Sequence, residues 1–133
     1  MILTGRERRR VVRNRRCNLT DIPIRRGDIW LCDLSDSLGS EQAGTRPVVN
    51  LQNDKGNDVS PLTTVISLTS RKKHYIPTHV PLPKEADVAV DSLAMAEQIR
   101  CVDRCRLLRR LGSVGNENIM LAIANAVRQN LEL

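Results

Sequence analysis

Residues 26–54, RGDIWLCDLSDSLGSEQAGTRPVVNLQND, set two short apolar runs on either side of a polar, glycine-containing loop. Ile29 to Leu34 reads as one strand and Pro47 to Leu51 as the next. Residues 35–46 are too long and too polar for a tight hairpin, and Gly39 and Gly44 give that loop freedom to turn. A loop of this length between strands is often functional. It ends in Arg46, followed at once by Pro47. An arginine at a strand mouth can be held rigidly over an anion, because its guanidinium is always charged and presents a planar fork of donors. Phosphate is the obvious match.

Outward from this stretch, the pattern continues as short strands. Thr63 to Thr69 is β-branched and predicts a third strand. His79-Val80-Pro81-Leu82 predicts a short edge strand, since prolines flank it. Ser92 to Met95 and Gln98 to Val102 predict two more, with a bulge or kink at Ala96-Glu97. Asn53 to Asp58 reads as a turn cluster, and Cys105 to Leu111 as one or two helical turns before Gly112. Asn116 to Leu131 is the clearest helix: Asn116 caps it, Glu117 sits in its first turn, and Ile119, Met120, Ile123, Ala126, Val127 and Leu131 recur at helical spacing. A small, strongly bent antiparallel sheet or barrel with a terminal helix follows.

The chain has 133 residues, a length that favours one core. Its net charge of +6 is unevenly spread. Residues 1–26 hold nine arginines against Glu7 and Asp21, a balance of +7, so the remainder carries −1. Whole-chain basicity is therefore weak evidence that the body binds nucleic acid. Residues 1–25 form an Arg-rich, irregular N-terminal extension ahead of a domain spanning 26–133. That extension either grips a nucleic-acid backbone nonspecifically or is a solvated arm, or product of an upstream start codon.

Phenylalanine is absent, and Trp30 and Tyr75 stand alone. A nucleic-acid module that grips mainly by stacking bases on aromatic platforms is excluded. Trp30, in the first strand, is expected in the core. No apolar run approaches the roughly 18 to 20 residues of a membrane span. Nor does an apolar core follow the charged N-terminus, as a secretory signal requires. Cysteines 17, 32, 101 and 105 form no CxxC pair, and with His74 and His79 they match no standard zinc spacing. Reduced thiols in the cytoplasm are the expectation, with no metal and no cofactor.

Gly27-Asp28-Ile29-Trp30, the run Gly39-Ser40-Glu41-Gln42-Ala43-Gly44-Thr45-Arg46-Pro47, and Gln52-Asn53-Asp54 together resemble the MazF/PemK family of toxin endoribonucleases. The likeness continues in Ser67-Leu68-Thr69, Pro77-Thr78-His79-Val80, Asp91-Ser92-Leu93 and Glu97-Gln98-Ile99-Arg100, and so covers about residues 25–131. The PTHV and EQIR stretches are similar to the branch typical of Gram-positive bacteria. The resemblance implies a mainly β, SH3-like small barrel of the CcdB/MazF type with a C-terminal helix. It implies a homodimer, a groove for single-stranded RNA, and a cognate antitoxin that covers the groove. It further implies metal-independent cleavage of mRNA at a short motif, leaving a 2′,3′-cyclic phosphate and a 5′-hydroxyl.

By motif position, the resemblance assigns catalysis to Arg46 and Thr69. It suggests RNA contacts from Ser40, Glu41, Gln42 and Thr45 in the first loop, from Arg71 and Lys72 in a variable basic tip, and from Gln98. Without the resemblance, Arg46 reads as a surface residue in an ion pair, with Glu41 as a candidate partner, and Gln98 is also consistent with the partner subunit or sheet packing. His79 is read as a structural strand residue. Two other functions stay open on the same fold. One is a poison of DNA gyrase, although such proteins use a C-terminal Trp-containing tail and this chain ends Asn130-Leu131-Glu132-Leu133. The other is a silent homologue that binds RNA or antitoxin without cutting.

Overall fold

The computed structural model describes residues 23–39, 41, 43–70, 76–84, 87–88 and 91–133. In chain order these form β1 (Asp28–Asp33), β2 (Thr45–Asn50), α1 (Asp54–Val59), β3 (Leu62–Thr69), β4 (His79–Leu82), β5 (Ser92–Asp103), a 3₁₀ turn (Arg104–Arg106), β6 (Leu107–Ser113) and α2 (Glu117–Leu131). The six strands make one antiparallel sheet in the order β4-β5-β3-β2-β1-β6. Among the described residues no ladder joins β4 to β6, so the sheet is not closed. The mainly β fold with a C-terminal helix is as expected, with β4 on an edge.

Alternate residues of the central strands feed two cores, one on each face. Ile29, Val49, Ile66 and Leu68 pack with Ile123 and Ala126 of α2. Trp30, Cys32, Val48 and Val65 pack with Ile24, Leu34, Val102 and Leu107. Burial on both faces explains why β1–β3 read as nearly continuous apolar runs. Trp30 is 1% exposed, a core residue as expected. The Gly27-Asp28 pair explains itself structurally. Gly27 takes φ +88°, and the buried Asp28 carboxylate accepts from Arg25 N (2.9 Å), Trp30 Nε1 (3.4 Å) and Arg110 Nη2 (3.2 Å).

Two readings are corrected. Asn53 to Asp58 is not a plain turn: Asp54–Val59 is a short α-helix, with Asn53 Oδ1 accepting from Gly56 N at 2.8 Å. Its Asn57 is buried in a closed ring of hydrogen bonds. Asn57 Nδ2 donates to Asn50 Oδ1 (3.2 Å), Asn50 Nδ2 to Thr63 Oγ1 (2.6 Å), and Thr63 Oγ1 to Asn57 Oδ1 (3.1 Å). Residues 107–111 are not helical; they belong to β6, which pairs with β1. The expected bulge at Ala96-Glu97 is present, but inside one continuous strand. Val65 pairs with Arg100 and Ser67 with Met95, so four residues of β5 stand against Ile66 alone.

The thiols also differ from expectation. Cys32 is buried and free, Cys101 is exposed and free, and Cys105 is disulfide-bonded. Among the described residues no helix is long and apolar enough to cross a membrane.

Candidate active site and RNA groove

Arg46 is the second residue of β2 and Thr69 the last of β3. The ladder pairs Val48 with Ser67 and Val49 with Ile66; carried outward, the same register sets Arg46 opposite Thr69. The β2–β3 ladder stops at Val48, beside Pro47, which has no N–H to donate. The β2–β3 ladder thus ends short of Arg46 and Thr69, each of which stays paired on its other side, with Cys32 and Leu93. Both line one cavity of about 380 Å³, together with Ser70, Asp87 and Ser92 and apolar walls from Pro47, Leu68, Val88 and Leu111.

The Arg46 Nε donates to Ala43 O at 3.1 Å. This bond fixes the guanidinium and leaves both Nη groups without a protein partner among the described residues. Arg46 makes no ion pair with Glu41. Glu41 instead organises the loop: its Oε2 accepts from Leu38 N at 3.3 Å. Gly44, at φ +77°, turns the chain into β2 while its carbonyl accepts from Leu34 N at 2.8 Å.

The loop is tied down at its other side. Asp36 takes a bidentate contact from Arg106 (2.7 and 3.1 Å) and lies 3.7 Å from Arg100, whose Nη1 donates to Ser37 Oγ at 2.9 Å. Burial raises the Asp36 carboxyl, but the Arg106 hydrogen bond and the charges of Arg106 and Arg100 outweigh it and hold it below the usual value of 3.8.

A second cavity, of about 280 Å³, is lined by Glu41, Ser67, Glu97, Gln98, Ile99 and Arg100. The expected site residues thus divide. Arg46 and Thr69 share the first cavity, Glu41 and Gln98 share the second, and Thr45 is exposed at the start of β2 outside both. Ser40, Gln42, Arg71 and Lys72 lie outside the described residues. Sequence reasoning gave no role to Asp87 or Ser92, which no spacing ties to Arg46. Glu97 and Arg100 sat in a motif but carried no assigned function.

His79 is buried, with its Nε2 at 2.6 Å from Glu97 Oε1, and Thr78 Oγ1 donates to Glu97 Oε2 at 2.8 Å. The contact with a carboxylate puts the imidazole proton on Nε2. Nδ1 is buried without a hydrogen-bond partner among the described residues. His79 orients Glu97 and lines neither cavity. Burial raises the Glu97 carboxyl, yet its bonds to its own backbone N–H, His79 and Thr78 hold it below the ordinary carboxylate range.

The model of the PemK-like, MazF-like toxin of type II toxin–antitoxin systems matches residues 25–131. Among solved structures, MazF (Form-I) from Deinococcus radiodurans is similar at 26% identity and a TM-score of 0.75, over 85% of this chain and 100% of that one. The MazE-MazF (Form-II) structure from the same organism matches at 25% identity and 0.70, over 85% and 99%. An endoribonuclease from a mycobacterial species matches at 22% identity and 0.69, over 84% and 94%, a likeness of fold. The chain belongs to the family of PemK-like, MazF-like toxins of type II toxin–antitoxin systems.

Proposed function

We propose that this protein is a sequence-specific endoribonuclease that cuts single-stranded mRNA, acting as the toxin of a toxin–antitoxin pair. One observation carries the reading: Arg46 and Thr69, from different strands, line a single cavity. Cleavage proceeds by attack of the ribose 2′-oxygen on the adjacent phosphorus. The 2′-hydroxyl gives up its proton to water, the P–O5′ bond breaks and the departing O5′ takes a proton from water, giving a 2′,3′-cyclic phosphate and a 5′-hydroxyl. Charge builds on the phosphorane oxygens, and the two Nη groups of Arg46, unpartnered among the described residues, are suited to neutralise it. Arginine is a poor acid or base, so its role is electrostatic. The Thr69 hydroxyl is suited to a nonbridging oxygen, holding the phosphate in line for attack. No step requires a metal ion or cofactor.

The protein acts as a homodimer in the cytoplasm, and the cognate antitoxin blocks the groove by covering the first loop. Family membership supports these roles, as do the MazE-MazF complexes among similar structures. The test is incubation with single-stranded RNA in chelator, comparing wild type with Arg46→Ala, and end-group analysis of the products. Cleavage by wild type alone, with cyclic phosphate ends, is expected. Equal cleavage by both, or by neither across a randomised pool, refutes the reading.

A further inference from the structure

The second cavity has a composition of its own. It is bounded by two carboxylates, Glu41 and Glu97, by a guanidinium, Arg100, and by Ser67 and Gln98. It opens where β5 bulges, so the backbone of residues 96–99 has only Ile66 opposite it on β3. Ser67, in this cavity, and Thr69, in the first, are two residues apart on one strand face. Two residues of strand span about 7 Å. That is within the reach of one nucleotide, from its phosphate to its base.

Glu97 is held at both oxygens, by His79 of β4 at 2.6 Å and by Thr78 just before it at 2.8 Å, and with its own backbone N–H also bonded to the carboxyl it keeps acceptor capacity for one more donor. Arg100 is likewise fixed, through Ser37 and Asp36. A rigid guanidinium plane can stack on a base where aromatic rings are lacking. Trp30 is committed to the core and does not line this cavity.

We propose that this bulge cavity is a nucleobase-reading subsite, selective for a base that presents an amino group to Glu97, and against uracil. The proposal rests on the ribonuclease reading above. Guanine, adenine and cytosine each offer N–H donors from an exocyclic amino group. Uracil offers one N–H flanked by two carbonyl oxygens, which would face Glu97 and Glu41 with acceptor against acceptor. Arg46 and Thr69 would then supply the chemistry, and Glu97 the choice of base beside it.

Two measurements test this. The first maps cleavage ends in a randomised RNA pool for wild type and Glu97→Gln. Wild type should disfavour uracil about tenfold or more at one position beside the scissile bond, and Glu97→Gln should bring that ratio to about threefold or less with other positions unchanged. An unchanged preference at every position overturns the proposal. So does conversion of the variant to a monomer in sedimentation with its base preference intact, which assigns the cavity to the contact between copies. The second measurement uses wild type only, with a preferred oligonucleotide carrying a 2′-deoxy group at the scissile position. Replacing the base at the mapped position by an abasic site should weaken binding about tenfold; undiminished affinity overturns the proposal. Absence of cleavage by wild type would instead strike at the ribonuclease reading, which separates the two failures. In that case the binding measurement, with each base of the oligonucleotide removed in turn, still decides the subsite.

Discussion

At the scale of single residues, the site depends on how Arg46 is held. Its Nε bond to Ala43 O points the fork, and lysine has no equivalent donor there. Arg46→Ala should lower the cleavage rate constant by about 10²-fold or more, as removal of one transition-state donor commonly does. Arg46→Lys should recover part of the rate by restoring charge without the fork. Single-turnover cleavage of one oligonucleotide measures both. Cys32 presents the opposite case, a reactive atom made inert. Burial pushes its thiol up to about 12 despite the charges of Arg106 and Arg100. At pH 8 only about one molecule in 10⁴ carries the thiolate. A thiol reagent at that pH should label exposed Cys101 and spare Cys32, as peptide mass spectrometry would show. Labelling of Cys32 at a comparable rate would mean that its face of the sheet opens readily.

At the scale of elements, legibility followed locality. Helix α2 was readable because its cap and its apolar stripe lie within its own sequence. The β5 bulge was readable because Ala96-Glu97 breaks a run of strand formers. Helix α1 was not, since Asp, Gly and Asn are weak helix formers and the six residues read as a turn. What holds that helix is the ring of Asn50, Asn57 and Thr63, whose members come from three elements. Asn57→Ala leaves a buried acceptor on Asn50 and a buried donor on Thr63, and should cost about 2–4 kcal/mol. A lower denaturant midpoint at unchanged slope would report it. β6 was hidden for the same reason: Leu107 to Leu111 lacks alternation and becomes a strand because β1 needs a second partner. The ends of the first loop were clear in the sequence, but its tether was not, because Asp36 meets Arg106 only once the sheet forms. Arg106→Ala should speed hydrogen exchange at the Leu34 and Ser37 amides and slow cleavage, with little change in global stability. Acid should act likewise. The folded Asp36 carboxyl lies below its unfolded value of 3.8, so its contribution is complete above that pH and is lost as pH falls through the folded value. Exchange at those amides should therefore show no Asp36-dependent change between pH 5 and 8. A tether lost near neutrality would assign loop order to another group.

At the scale of the whole molecule, charge and fold are separated along the chain. The family match begins at residue 25, and the balance of +7 lies in residues 1–26. The body carries −1, its twelve basic residues nearly balanced by thirteen acidic ones, and it sets one arginine at each cavity, Arg46 at the first and Arg100 at the second. The proposed cleavage draws on residues of the body, and the test for the N-terminal arginines is whether they attract RNA at long range or form a solvated arm. Replacing arginines 6, 8, 9, 10, 13, 15 and 16 by serine removes seven charges and leaves residues 17–133 intact. Each phosphate neutralised on a single strand contributes about 0.7 to the slope of log affinity against log salt. The variant's slope should be shallower, by up to about 5 if every one of these arginines meets a phosphate. Its affinity should fall most at low salt, where counterion release is strongest. The cleavage motif should not move if the cavity residues described above, all from the body, set it. Binding titrations at several salt concentrations, paired with end mapping on one RNA pool, measure both quantities. A changed motif would make the arginine segment part of the recognition surface. An unchanged slope would make it a solvated arm, and would leave RNA capture to the basic residues of the body.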